Sequence, residues 1–159
     1  MPPLVRSAPD ASVRMHPLLR IAGMLWTSPN TMLGLLAGLV GMAFGAHAHW
    51  RRGDTALVFH AWPWGPGGAL TLGNVILHTG DTLDLDCMTY AHRAGHCVDA
   101  PILLADHERA HVLQYMVLGP LFLPLYLACG GVSVRNRFER AADRYALTGQ
   151  GWWPWPGAL

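Results

Sequence analysis

The stretch LLADHERAHVLQYMVLGPLFLPLY, residues 103–126, joins a candidate metal-binding motif to a strongly apolar segment. Its first half contains His107, Glu108 and His111 in the spacing H-E-x-x-H. On an α-helix, residues four apart lie on the same face, so the two imidazoles point the same way. Two such histidines can take adjacent corners of a tetrahedral zinc site. Glu108 is rotated by about 100° from His107, where it can take a proton from a zinc-bound water as a general base.

A catalytic zinc site also needs a third protein ligand and an open position for water. The two glutamates of the chain are Glu108 and Glu139, and the second follows two prolines and the Gly130–Gly131 turn signal. This separation allows a second helix to fold back antiparallel and to present Glu139 as the third ligand. Asp143 lies one turn beyond Glu139 on the same face, where it can fix the tautomer of a ligand histidine. The resulting donor set favours zinc.

The composition indicates association with a membrane. Of the 159 residues, 52% are hydrophobic and 13% are charged, against about 25% charged in typical soluble domains. Residues 21–46 contain no charge, and Trp26 and Trp50 flank this run where interfacial anchors are expected. A buried core helix is the alternative interpretation of the run. The net charge of +1 gives no electrostatic footprint for nucleic acid.

A second apolar run, residues 112–134, contains no Asp, Glu, Lys or Arg. It is long enough to cross a bilayer, which takes about 20 residues. Pro120 and Pro124 are expected to kink or break a helix there. The sequence leaves open whether this run spans the membrane, dips into it or is covered by protein. Residues 136–146 regain helical character.

The pattern between the two apolar runs changes to short β-like segments. Residues 55–62 and 69–78 are predicted strands joined by a Gly- and Pro-rich turn, and they form a candidate hairpin. Residues 79–100 are polar and lack a helical period, so they are predicted to form a loop. The loop contains two cysteines and two histidines: Cys87, Cys97, His92 and His96. Their spacing matches no ligand pattern, and one disulfide between the two cysteines is the most that it suggests.

The segments HERAH (107–111) and ERAAD (139–143) resemble the gluzincin metallopeptidases, the thermolysin-type clan. The resemblance implies that Glu139 is the third zinc ligand and that Asp143 is the partner of a ligand histidine. The longer pattern of ALTLGNVIL, HERAHVLQYMVLGPLFLPLYL and NRFERAAD, with SPNTMLGLLAG near the start, is similar to an uncharacterised family of small bacterial membrane proteins. It covers most of residues 25–146 and implies a zinc site at the membrane, expected to be the bacterial inner membrane.

The resemblance also implies a substrate site. In gluzincins an edge strand ahead of the metal helix commonly pairs with an extended peptide substrate, and residues 69–78 occupy that place. Tyr115 lies four residues after His111 on the same helix face, where it can line the site or pack beside it. A further group usually stabilises the oxyanion. The candidates for this role are Tyr145, His78 and His92.

The expected architecture is α+β and mostly helical. It comprises an N-terminal apolar helix, a short β-hairpin, the H-E-x-x-H helix running into a Pro-kinked segment, and an antiparallel helix carrying the third ligand. We predict three regions: a flexible N-terminus over 1–20, a membrane anchor helix over 21–50, and a small zinc-binding domain over 51–159.

The leading function hypothesis is a membrane-associated, zinc-dependent hydrolase, a minimal metallopeptidase that acts on peptides or proteins with Glu108 as general base. The alternative is a non-catalytic membrane protein stapled by zinc, in which Asp143 or His96 closes the site as a fourth ligand. A membrane-helix scaffold without metal is a third hypothesis, which the polar cluster argues against.

Overall fold

The computed structural model describes residues 15–95 and 101–155, and it is an α+β fold in which about half of this part is helical. The helices are α1 (Pro17–Trp26), α2 (Ser28–Met42), α3 (Tyr90–Arg93), α4 (Leu104–Leu118), α5 (Phe122–Ala128) and α6 (Arg137–Thr148). The strands are β1 (His47–Arg51), β2 (Ala56–His60), β3 (Ala69–Leu72), β4 (Val75–His78), β5 (Asp86–Cys87) and β6 (Ile102–Leu103). The predicted α+β class is therefore confirmed.

The segment predicted as one anchor helix over 21–50 is divided into two helices and a strand. Helix α1 ends at Trp26 and α2 begins at Ser28, two positions after it. Pro29 explains the interruption, because its nitrogen has no proton to donate to the preceding turn and its ring crowds that turn. Residues His47–Arg51 leave the helical path because they pair antiparallel with β2. Of the predicted flexible N-terminus, residues 1–14 lie outside the described residues and residues 17–20 form the start of α1.

The predicted hairpin of 55–62 with 69–78 is wrong, because β2 pairs parallel with β4 in a four-stranded mixed sheet of the order β1-β2-β4-β3. The predicted strand 69–78 is itself a hairpin of β3 and β4, closed by Gly73 and Asn74 between the paired residues Leu72 and Val75. Gly73 has a φ of 64°, a conformation that favours glycine. A Gly-Asn pair between two apolar runs is a two-residue hairpin signal, and the sequence prediction took it for strand interior.

The sheet lies between α2 and α4, and alternate residues of its strands face opposite helices. Phe59, Val75 and Leu77 form one buried cluster with partly buried residues of α2. Ala56, Val58 and Ile76 form another with Leu104, Ala105, Val112 and Met116 of α4. The inward face of α2 is made of small residues, since Gly34 and Gly38 approach Val75 and Phe59 closely.

The predicted loop 79–100 contains short regular elements. Strand β5 pairs antiparallel with β6, and α4 begins directly after this pairing, at Leu104. Helix α3 is one turn, capped by the side chain of Thr89. Cys97 and His96 lie outside the described residues, so the suggested disulfide does too.

The predicted break in the second apolar run occurs where α4 ends at Leu118. A 3₁₀ turn over Gly119–Leu121 separates α4 from α5, and Gly119 has a φ of 55°. Among the described residues, Leu104–Ala128 is the one helical stretch long and apolar enough to cross a membrane. Half of its most apolar part is buried inside the protein.

The packing of α2 on the sheet predicts the effect of adding bulk at Gly38. A Cβ at this position would overlap the ring of Phe59, which is buried in the core. We expect Gly38→Val to lower the free energy of unfolding by about 1–3 kcal/mol, as overpacked cores do. Denaturant unfolding of the full chain measures this loss. Gly53→Val is the matched control, because a Cβ at Gly53 meets nothing within 4 Å; equal losses in both variants would contradict the packing described here.

Candidate metal centre

Helix α4 carries three of the predicted site residues, and its position between the sheet and α6 buries them. His107, Glu108 and His111 are each exposed by less than a tenth of their surface. The first two backbone amides of α4 are hydrogen-bonded: Leu104 N and Ala105 N donate to carbonyls of the segment before β5. The start of the helix is therefore fixed to the β5–β6 region, and the motif lies within the first two turns.

Helix α6 brings Glu139 to the same place. The fully buried Asn136 caps the helix: its side-chain oxygen accepts from Phe138 N, at 2.9 Å. Its amide nitrogen donates to the carbonyls of Tyr126 and Gly131. This one side chain therefore ties α5, the Gly130–Gly131 turn and the first turn of α6 together, and Glu139 lies in that first turn.

The three predicted ligands converge. His107 Nε2 lies 3.1 Å from His111 Nε2 and 3.2 Å from Glu139 Oε2, and His111 Nε2 lies 3.5 Å from Glu139 Oε1. Atoms bound at about 2.0–2.1 Å and tetrahedral angles to one zinc ion lie about 3.3–3.4 Å apart. A single ring N–H can serve only one of these contacts, whereas one cation serves all three. The group could therefore hold a metal ion.

The far nitrogen of each ring faces an acceptor. His107 Nδ1 lies 2.9 Å from Asp143 Oδ1, at ion-pair distance but without the alignment of a hydrogen bond. His111 Nδ1 lies 2.9 Å from Gln114 Oε1. An acceptor at Nδ1 keeps the proton there and leaves the lone pair on Nε2 for a metal. Asp143 consequently lies behind His107, on the side of the ring that faces away from His111 and Glu139.

Glu108 stands beside the ligand group without belonging to it. Its Oε2 accepts a hydrogen bond of 2.6 Å from Thr71 Oγ1, and both residues are buried. Thr71 is on β3, so the carboxylate of Glu108 joins the edge strand to α4. The contact fixes the rotamer of Glu108, which a general base needs in order to meet its proton donor in a defined geometry.

The two imidazoles set the charge state of Glu139. Burial alone would raise the pKa of the Glu139 carboxyl, but His111 and His107 hold it well below its ordinary value. The hydroxyl of Tyr126 donates to Glu139 Oε1 in a short contact. Glu139 is therefore an ionised carboxylate, the form in which it can bind a cation.

The group opens into a cavity of about 160 Å³. Its lining combines polar residues of the site with residues of the edge strand β3 and apolar side chains. The lining includes His107, Glu108, His111, Tyr115, Tyr126, Glu139, Ala69, Leu70, Thr71, Leu104, Phe122, Leu123 and Val132. Tyr115 stacks on Phe122, and its buried hydroxyl has no hydrogen-bond partner among the described residues.

The three residues predicted as candidates for stabilising the oxyanion lie away from the cavity. Tyr145 is buried in a cluster with Ala110 and Leu113, and it does not line the cavity. His78 is buried at the end of β4 next to His60. His92 is in α3, where its Nδ1 accepts from the backbone of Thr89. Of the four aromatic or imidazole candidates, the structure brings only Tyr115 to the cavity wall.

Sequence reasoning missed Gln114, Thr71 and Tyr126. Gln114 follows His111 by three positions, which places both on one helix face. It is fully buried and also donates to the carbonyls of Phe138 and Trp152. Tyr126 could have been identified from the sequence, because it places a hydroxyl within an apolar run and buried tyrosine hydroxyls usually have a hydrogen-bond partner. The contact of Thr71 depends on the pairing of β3 with β4 and has no local signal.

Comparisons with protein-family models, curated proteins and solved structures found no match to the chain. The site is therefore interpreted from its own geometry.

The position of Asp143 predicts its effect on metal affinity. We expect Asp143→Asn to weaken zinc binding by about 10–100-fold, because loss of a partner behind a ligand histidine has that effect. Competition with a chromophoric chelator measures the affinity. Arg140→Gln is the control: Arg140 is an exposed residue of the same helix, and its replacement should leave the affinity unchanged. An unaltered affinity in Asp143→Asn would show that Asp143 has no role behind His107.

Proposed function

We propose that the protein is a zinc-dependent hydrolase, a minimal metallopeptidase with His107, His111 and Glu139 as ligands. The observation that carries the proposal is the arrangement of nitrogen and oxygen atoms in the ligand group. The Nε2 atoms of His107 and His111 and the carboxylate of Glu139 lie 3.1–3.5 Å from one another, and all three residues line a cavity with room for a further ligand. Three protein ligands with an open position are typical of catalytic zinc sites, whereas structural sites are closed by four.

The chemistry assigned to this chain is proton transfer by Glu108. A zinc ion held by the three ligands would supply Lewis acidity, polarising a substrate carbonyl and acidifying a water molecule. Glu108, buried next to the ligands and fixed by Thr71, takes the proton of the attacking water and delivers it to the leaving amine. Tyr115 and Tyr126 both line the cavity. The hydroxyl of Tyr126 already donates to Glu139, so Tyr115, whose hydroxyl has no hydrogen-bond partner among the described residues, is the group assigned to donate to the developing oxyanion.

The substrate that fits the site is an extended peptide. Strand β3 is at the edge of the sheet, pairs with β4, and lines the cavity with Ala69, Leu70 and Thr71. An edge strand offers unpaired backbone groups to which a peptide can add as a further strand. The sequence prediction assigned this role to 69–78; β4 is covered by β2 and β3, so the proposal concerns Ala69–Leu72.

The alternative function, a zinc staple without catalysis, requires a fourth protein ligand. Asp143 was one candidate, but its carboxylate meets Nδ1 of His107 rather than the side where His107, His111 and Glu139 converge. The other candidate, His96, lies outside the described residues. The geometry of Asp143 therefore favours the hydrolase over the staple.

We further propose that the protein associates with a lipid bilayer through the outer face of α1 and α2. The inward positions of α2 are occupied by Asn30 and three glycines. The opposite face is apolar and open: Leu18, Leu19, Leu25, Leu33, Leu36, Leu39 and Val40 are each more than half exposed. Contiguous exposed apolar surface of this kind marks interaction with membranes or partners, and α2 carries no charge.

Glu108→Gln separates catalysis from metal binding. The amide is isosteric and cannot accept the proton, so peptide hydrolysis should fall by at least about 10²-fold. Zinc content should stay at the wild-type level, because Glu108 is not one of the ligands. Turnover of a peptide library and zinc content by mass spectrometry are measured on the same samples. Absence of turnover in both wild type and variant would support the alternative function, a non-catalytic protein stabilised by zinc.

Leu36→Glu tests the membrane face. Leu36 is 58% exposed, so the substitution leaves the core intact while placing a charge where acyl chains would lie. We expect reduced co-flotation with phosphatidylcholine–phosphatidylglycerol vesicles, since a charged side chain costs about 3 kcal/mol in a bilayer. Gln150→Glu, an exposed polar position near the C-terminus, is the control. Equal flotation of the two variants would contradict the assignment of this face.

A further inference from the structure

Histidines form a row across three adjacent strands of the sheet, separate from the ligand group on α4 and α6. His47 of β1 pairs directly with His60 of β2. The parallel register of β2 and β4 pairs Phe59 with Leu77, which places His60 beside His78. Side chains at directly paired positions lie on the same face of a sheet. His49, two residues after His47, also faces that side.

The two inner rings of this row meet. His60 Nδ1 lies 3.2 Å from His78 Nδ1, and both residues are buried, with 6% and 3% of their surfaces exposed. The ring centroids of His47 and His49 lie 5.5 Å and 6.5 Å from that of His60. His47 and His49 are exposed, so four imidazoles extend from the protein interior to the surface.

Burial lowers the pKa of His60, and the neighbouring imidazoles, first that of His78, lower it further. Burial also lowers the pKa of His78, although the carboxylates of Glu108 and Asp81 act in the opposite direction. Both inner rings are therefore neutral at pH 7. Neutral imidazole is the form that binds metals, and Asp81 supplies negative charge near a bound cation.

We infer that His60 and His78, joined by His47 from the edge strand, form a second transition-metal site made of imidazoles. The Nδ1–Nδ1 distance of 3.2 Å fits two ligands at adjacent corners around one ion. All-imidazole donor sets suit Zn²⁺, Ni²⁺ and Cu²⁺, of which Cu²⁺ binds most tightly. The site is independent of the proposed hydrolase function.

Bringing the third imidazole to this site requires a rotation of one side chain. Among residues 15–95 and 101–155, three ligand atoms come within 4.8 Å of one another only at His107, His111 and Glu139. His47 must therefore turn its exposed ring toward the inner pair. The competing description of the pair is a neutral hydrogen bond in which one Nδ1–H donates to the other ring. The two descriptions differ in whether the buried pair contributes to metal affinity.

Copper binding to the zinc-loaded full chain tests the inference. One equivalent of Cu²⁺ is added, and metal analysis of the same sample verifies that zinc is retained. We expect an electron paramagnetic resonance spectrum with hyperfine coupling to three or more nitrogens. His60→Gln should weaken Cu²⁺ binding by at least about tenfold, since loss of even an indirect partner costs 10–100-fold. His16→Gln, which removes a histidine of the N-terminal helix cap, should leave it unchanged.

Two results would overturn the inference. Equal Cu²⁺ affinity of wild type and His60→Gln, with both folded by circular dichroism, would mean that only the surface pair His47 and His49 chelates the ion. If His60→Gln does not fold, the wild-type spectrum decides. Coupling to two nitrogens or fewer would overturn the proposed site of three imidazoles.

Discussion

The structure depends on placing a carboxylate and two imidazoles within 3.5 Å of one another in its interior. Burying an ionised carboxylate is costly unless its charge is compensated nearby. Two arrangements meet that requirement here: protonated rings, or neutral rings around a shared cation. Both arrangements keep a proton on the far nitrogen of each ring, beside the acceptors Asp143 and Gln114, and the second leaves the near nitrogens free to bind the cation.

The rest of the fold holds the carboxylate and the two imidazoles in position. Helix α4 is supported by the sheet on one side and by α6 on the other, and its residues contribute to the core clusters on both sides. Asn136 fixes the start of α6, and Gln114 ties α4 to the C-terminal segment through Trp152. On the far side of the sheet, the glycines of α2 let this helix approach the strands closely. A small protein needs such close packing to bury its strands. The same arrangement leaves the apolar side of α2 exposed.

The parts of the site that follow helical periodicity were predictable from sequence. His107 and His111 share a face four residues apart, Glu139 and Asp143 do likewise, and the Gly130–Gly131 signal indicated the reversal between them. Long-range strand pairing had no such signal. The positions of β1, of the β3–β4 hairpin and of Thr71 depend on residues distant in sequence, so the predicted anchor helix was too long and the predicted strand 69–78 was undivided. His78 was assigned to the site because its chemistry was suitable, while its strand register places it against His60.

X-ray absorption spectroscopy of the purified, zinc-loaded chain can identify the ligands of the ion, because it reports the atoms bound to the metal. We expect one zinc ion with nitrogen and oxygen neighbours at about 2.0–2.1 Å and the multiple-scattering pattern of two imidazoles. A sulfur neighbour at about 2.3 Å, or a chain that retains no zinc after dialysis, would contradict the assignment of His107, His111 and Glu139 as the ligands.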